Sequence, residues 1–251
     1  MMLRPLLAAI QFLTIIPFPK SFTGGEKELE KCMPFFPVVG LLIGMIIAAV
    51  DYVMGLILPP LPASVMTAIA MTAISGGLHM DGLADTADGF FSARPRERIL
   101  EIMRDSRTGV MGVLAVAFVI VLKVSLLISV LPPFRPGIII LMPLAGRCSF
   151  VVMMTALPYV RREGGLATAF GTGKSWLNVL WASAFLLAAG WLAGRWMGIT
   201  AGFSALLAAA LFSVYCFRKI GGYTGDTLGA GCELMEVIPA IATVVLMRIV
   251  H

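Results

Sequence analysis

Seven apolar runs constrain this chain more than any other feature. They fall at about 35–58, 61–78, 109–131, 136–158, 177–197, 199–217 and 234–250, joined by short links. Most reach the ~20 residues that carry an α-helix across the hydrocarbon core of a bilayer; the last is the shortest. Backbone inside lipid has no water to bond, so such runs fold as helices rather than as open strands. The composition agrees. Hydrophobic residues make up 59% of the chain and charged residues 13%, where a soluble domain carries about 25% charged. The expected fold is therefore all-α: a polytopic membrane helix bundle of about seven transmembrane helices, forming one integral-membrane domain over 1–251. Residues 1 to 16 resemble a secretory signal only loosely. The run meets Pro17 and Pro19 without a small-residue cleavage site, so it is expected to stay, as a short interfacial or re-entrant helix. Cys32, Cys148, Cys216 and Cys232 form no CxxC pair and read as free thiols.

The links set the arrangement. Pro59-Pro60 and the PPFRP at 132–136 are tight turns, which predicts that the spans on either side of each are antiparallel neighbours. Alternate links are basic. The N-terminal segment and the 79–108, 159–176 and 218–233 links hold fourteen Lys and Arg, against Arg135, Arg195 and Arg248 on the other side. By the positive-inside rule the first set is cytoplasmic, and the net charge of +5 reflects membrane orientation rather than nucleic-acid binding.

Every stretch suited to chemistry falls on that same side. Residues 76–89 read GGLHMDGLADTADG. Asp81, Asp85 and Asp88 stand at i, i+4 and i+7, so on a helix the three carboxylates share one face. Like charges so close need a cation, and an oxygen-only set suits a hard divalent ion such as Mg²⁺ or Mn²⁺. His79 stands just upstream. A solvated acidic helix end is the plainer alternative. The 79–108 link ends in RDSRTG, where Arg104 and Arg107 can clamp phosphate and Asp105 can complete a metal site. A second acidic, glycine-rich mouth, GGYTGDTLGAGCELME at 221–236, places Asp226 and Glu233 seven apart on one face. Two such mouths on one side suggest a shared site with two metal ions, or one metal and a phosphate. Arg147, within a span, is either a phosphate anchor or half of a structural ion pair. Asp51 and Lys123 fall at similar depth by counting ~1.5 Å per residue, which predicts a structural pair. REGGLATAFGTGK at 162–174 reads as a flexible loop able to close over a substrate.

GGLHMDGLADTADG, IMRDSRTGVMG and GGYTGDTLGAGCE, in that order between these spans, resemble the cobalamin synthase (adenosylcobinamide-GDP ribazoletransferase) family. FLTIIPFP followed by FFPVVG fits as well, and the likeness covers nearly the whole chain. Met80 stands where the pattern has an acid. The resemblance implies a Mg²⁺-dependent enzyme of a prokaryotic cytoplasmic (inner) membrane, with its active face in the cytoplasm. It would join adenosylcobinamide-GDP to α-ribazole, or its 5′-phosphate, and release GMP. In that chemistry Asp81, Asp85 and Asp88 would hold Mg²⁺, with Asp226 and Glu233 as second-site ligands. His79 or Asp105 would be the base, and Arg104, Arg107 and Arg147 would contact phosphate. Two alternatives stand beside it. The DxxDG core followed by Ala93-Arg94 is similar to CDP-alcohol phosphotransferases, though the Ala-Arg spacing and the later aspartates differ. A divalent-cation transporter would also place acids near spans, but deep in the bilayer rather than at one face.

Overall fold

The computed structural model describes residues 3–19, 26–161 and 175–250. The 162–174 segment expected to close over a substrate lies outside the described residues. The chain forms α1 (Leu3–Leu13), α2 (Phe36–Ile57), α3 (Pro60–Ala73), α4 (Leu78–Phe90), α5 (Arg96–Ile102), α6 (Val110–Ser129), α7 (Arg135–Ala156), α8 (Trp176–Ile220) and α9 (Gly225–Val250). A single turn at Glu26–Leu29 and a 3₁₀ turn at Met33–Phe35 lead into α2. Prolines occupy the first turns of α2, α3 and α7, where a missing N–H breaks no helical bond.

Among the described residues, five helices are long and apolar enough to cross a membrane. One of them, α8, has 45 residues, about 68 Å if straight and more than twice the ~30 Å hydrocarbon core. It is not straight. Gly194 and Arg195 leave helical geometry, Arg195 with φ +52°, and the chain doubles back. A Cβ added to Gly202 would lie 3.4 Å from Leu186, and the Gly190 and Gly198 backbones touch. Two antiparallel arms result, 176–193 and 196–220, with the Trp191 and Trp196 rings 5.4 Å apart at the tip. The other departure is at Gly76-Gly77. Both adopt positive φ, +63° and +76°, and α3 and α4 meet there at 85°. The run expected to span 61–78 therefore stops at Ala73, and the acidic motif is a helix turned back against the bundle. Splitting α8 and counting the bent α3–α4 pair gives a total compatible with the expected seven. α1 has 11 residues, too few to cross. It buries Ala8, Ala9 and Leu13 against the bundle and stacks Phe12 on Phe36 of α2 at 5.9 Å.

α7 is the central post. It is buried almost continuously from Ile138 to Met154 and packs against α2, α8 and α9. Gly40 and Gly44 let α2 approach closely: a Cβ on Gly40 would stand 2.8 Å from the Leu144 Cα. Small residues four apart are the usual means of helix contact in lipid. The Pro59-Pro60 link does join packed neighbours, α2 and α3. The PPFRP link does not. α6 lies against α3, α4 and α9 and makes little contact with α7, because a tight turn fixes where a helix starts but not which groove it fills.

Cross-links gather the basic links at one end. Val160 N donates to Tyr223 O at 3.1 Å and Tyr223 N to Pro158 O at 2.9 Å. Lys219 Nζ donates to Phe90 O at 2.8 Å and Trp181 Nε1 to Pro34 O at 3.0 Å. The expected Asp51–Lys123 pair is absent. Asp51 takes Arg135, with Nη2–Oδ1 at 2.7 Å, and the Thr67 hydroxyl at 2.7 Å. Lys123 turns the other way, to Glu233 and Glu236 of α9, both at 2.6 Å. Equal depth says nothing about which side of a helix faces which neighbour.

Candidate active site

α4 and α9 meet glycine to backbone. A Cβ on Gly82 would fall 2.7 Å from the Asp226 carbonyl oxygen, and one on Gly229 would fall 3.2 Å from the His79 Cα. This close approach lets the two acidic mouths share a cavity of about 230 Å³, whose polar lining includes His79, Asp81, Arg161 and Asp226. Phe12, Phe150 and Tyr159 supply apolar wall. The expectation of one shared site therefore describes where Asp81 and Asp226 lie.

Each acid has its own surroundings. Asp81 is exposed into the cavity. Asp226 sits in the first turn of α9, which is anchored by Thr224 N donating to Thr227 Oγ1 at 2.8 Å and Thr227 N to Thr224 Oγ1 at 3.2 Å. Its carboxylate accepts from the Arg161 guanidinium. Asp85 is half-buried and within electrostatic reach of Asp81, Asp226 and Asp88, with Arg161 opposing them. Asp88 is differently employed. It accepts from Gly109 N at 2.6 Å and Gly112 N at 2.8 Å. Gly109 precedes α6 and has no side chain to cap it, so Asp88 caps that helix across space. His79 is 4% exposed, stands edge-on to Phe150 at 5.4 Å, and its Nδ1 has no hydrogen-bond partner among the described residues.

Other expected residues lie apart from the cavity. Asp105 and Arg107 pair with each other at 2.7 Å, and Arg107 is largely exposed. The hydrogen bonds from Arg107 hold the Asp105 carboxyl down at about 2. Arg104 is exposed and within electrostatic reach of Asp226. Glu233 is not beside Asp226. Seven residues along α9 is about 10 Å, and there Lys123 Nζ donates to both Glu233 and Glu236 while Arg147 Nη1 donates to Glu236. All four side chains are 2% exposed or less. Two cations and two anions cancel in this buried network, which corrects the reading of Glu233 as a ligand beside Asp226. Arg147 is likewise committed through Nη1, with Nε and Nη2 unpartnered among the described residues.

Among the described residues no three His, Cys, Asp or Glu side chains already converge as a metal cage. Mg²⁺, however, takes one or two carboxylates and completes its shell with water and substrate phosphate. The oxygen donors Asp81 and Asp226, with Asp85 near, fit that mode. Sequence reading passed over Arg161, one basic loop residue among many, and Glu236. The only available signal for the second was Glu233 and Glu236 on one face of an apolar span, with Lys123 buried in another.

Fold and cavity together define a polytopic helical membrane protein with an acidic, arginine-bearing site at one end, the equipment of a membrane-embedded transferase. The chain belongs to the cobalamin-5-phosphate synthase family, whose model matches residues 5–244. It is 40% identical to the adenosylcobinamide-GDP ribazoletransferase of Desulforamulus reducens, over 94% of each chain. It is 36% identical to that of Geotalea daltonii, over 94% of this chain and 95% of the relative. It is 34% identical to that of Listeria monocytogenes serotype 4b, over 99% and 100%. These matches favour neither the CDP-alcohol phosphotransferase nor the transporter alternative. No solved structure matches.

Proposed function

We propose that this protein transfers the cobinamide-phosphate moiety of adenosylcobinamide-GDP to α-ribazole or its 5′-phosphate, releasing GMP. The family and the names of its relatives supply the reaction. The observation that carries it to particular residues is the shared cavity of Asp81, His79, Asp226 and Arg161. A ribazole hydroxyl attacks the cobinamide-side phosphorus. A new P–O bond forms there, the P–O bond to GMP breaks, and the hydroxyl proton must leave. His79, which lines the cavity, is the candidate acceptor, whereas Asp105 is tied to Arg107 outside it. Arg161 and the nearby Arg104 balance charge on the phosphates. Mg²⁺ held by Asp81 and Asp226, with Asp85 adjacent, would supply further neutralisation of the pyrophosphate. The site faces the cytoplasm of a prokaryotic inner membrane, in keeping with the basic links gathered at that end.

The test is direct. Purified protein is incubated with adenosylcobinamide-GDP, α-ribazole and Mg²⁺, and GMP is measured. GMP that depends on both α-ribazole and Mg²⁺ is expected. GMP formed equally without α-ribazole, or in excess chelator, would refute the transfer or the metal respectively.

A further inference from the structure

We infer that Arg161 serves the site in two states: it is the counter-ion of Asp226 while no divalent cation is bound, and the phosphate clamp once a cation takes that carboxylate. The inference rests on the reading above and gives Arg161 a second state within it.

Arg161 is the one arginine lining the cavity among the described residues, where it faces Asp81 and Asp226. Its backbone is not a loose arm. The flanking bonds between Val160, Pro158 and Tyr223 fix it to the segment that opens α9, so guanidinium and carboxylate are presented from one pinned unit. Only part of the fork is used. Nη2 donates to Asp226 and, at 3.4 Å, to Met103 O. Nε is buried with no partner among the described residues. A buried N–H without an acceptor is costly, so an acceptor entering the cavity recovers that cost. His79, whose Nδ1 is also unpartnered among the described residues, lines the same space. The cavity thus holds unused polar capacity suited to an oxygen-rich ligand. The Arg161–Asp226 pair, 21% and 18% exposed, is screened far less than the surface pair Arg98–Glu101, at 64% and 61%.

One carboxylate can serve a guanidinium and a metal ion only at the expense of repulsion between the two cations. The empty site therefore binds metal less tightly than its carboxylates alone would. Phosphate oxygens relieve the conflict, because they attract both. Cation and phosphorylated substrate should then bind cooperatively, and Arg161 is the residue that couples them.

The experiment measures Mn²⁺ binding by the loss of its free electron-paramagnetic-resonance signal, and GDP binding at saturating Mn²⁺, on the full-length detergent-purified protein. Arg161→Gln should tighten Mn²⁺ without nucleotide by about tenfold and weaken GDP by about tenfold or more, the scale of one charge-assisted contact. Arg161→Lys keeps the charge but not the fork. It should leave Mn²⁺ affinity near wild type and still weaken GDP, which provides a second test should the glutamine variant fail to fold. Unchanged or weaker Mn²⁺ binding in a folded Arg161→Gln protein, or GDP binding unaffected by both variants, would overturn the inference. Wild-type protein that releases GMP while either variant behaves so removes only the role of Arg161. Wild-type protein that binds no Mn²⁺ and releases no GMP removes the proposed function with it.

Discussion

Lys123→Met isolates the buried network and distinguishes it from the pair expected by depth. Lys123 is 1% exposed, with two carboxylate oxygens at 2.6 Å. In the native protein Lys123 and Arg147 balance Glu233 and Glu236. Methionine fills similar volume but leaves one excess negative charge among buried helices. Two charge-assisted hydrogen bonds go with it, each worth ~1.5–3 kcal/mol. Breaking one side of a buried pair costs on the order of 3–5 kcal/mol, which for a chain of this size lowers the melting temperature by roughly 10 °C. The partner decides the interpretation. Lys123→Met with Glu233→Gln restores neutrality, because Glu236 keeps Arg147, and should recover most of the loss. Lys123→Met with Asp51→Asn should be worse than the single variant, since Asp51 belongs to Arg135. Thermal unfolding of the four proteins in one detergent measures this. A single variant as stable as wild type, or rescue by Asp51→Asn instead of Glu233→Gln, would refute the network.

Asp88→Ala should cost about 1–2 kcal/mol of stability, since it uncaps α6, whereas Asp85→Asn should keep or gain stability as like-charge repulsion falls; urea titrations of both, run in parallel, check the contrast. Gly198→Ala drives a methyl into the Gly190 backbone and should destabilise by ~1–3 kcal/mol, visible as earlier unfolding, while Gly55→Ala, which meets open space, should not. The native cysteines are all buried, so a Ser106→Cys protein offers one exposed thiol; an impermeant maleimide should label it only in broken cells, and labelling of intact cells would invert the topology.

Much of this architecture is legible in the sequence because lipid leaves the backbone no alternative to helix. The apolar runs, the reversal near 195 and the gathering of basic links at one end follow from that single constraint. Azimuth is the part it does not encode. Asp51 and Lys123 count to similar depth yet face different neighbours, and α6 makes little contact with α7 despite the tight PPFRP link. The acidic motif shows the same division. Its spacing places Asp81, Asp85 and Asp88 on one helix, but only packing shows that Gly82 admits α9, so that Asp81 meets Asp226, and that Asp88 is drawn off to cap α6. The bend at Gly76-Gly77 was equally hidden, since hydropathy continues through it while the backbone turns 85°.

Carboxylates in the shared cavity are proposed to act on phosphate rather than hold the fold. Asp81 tests it most cleanly, being exposed into the cavity where Asp226 and Arg161 converge. The measurement is the rate of GMP release from adenosylcobinamide-GDP by Asp81→Asn protein, with its melting temperature as control. The account predicts wild-type stability and at least ~10²-fold slower release, the scale of losing one electrostatic group from a preorganised site. Part of that rate should return at high Mg²⁺. Undiminished release with unchanged Mg²⁺ dependence would contradict it.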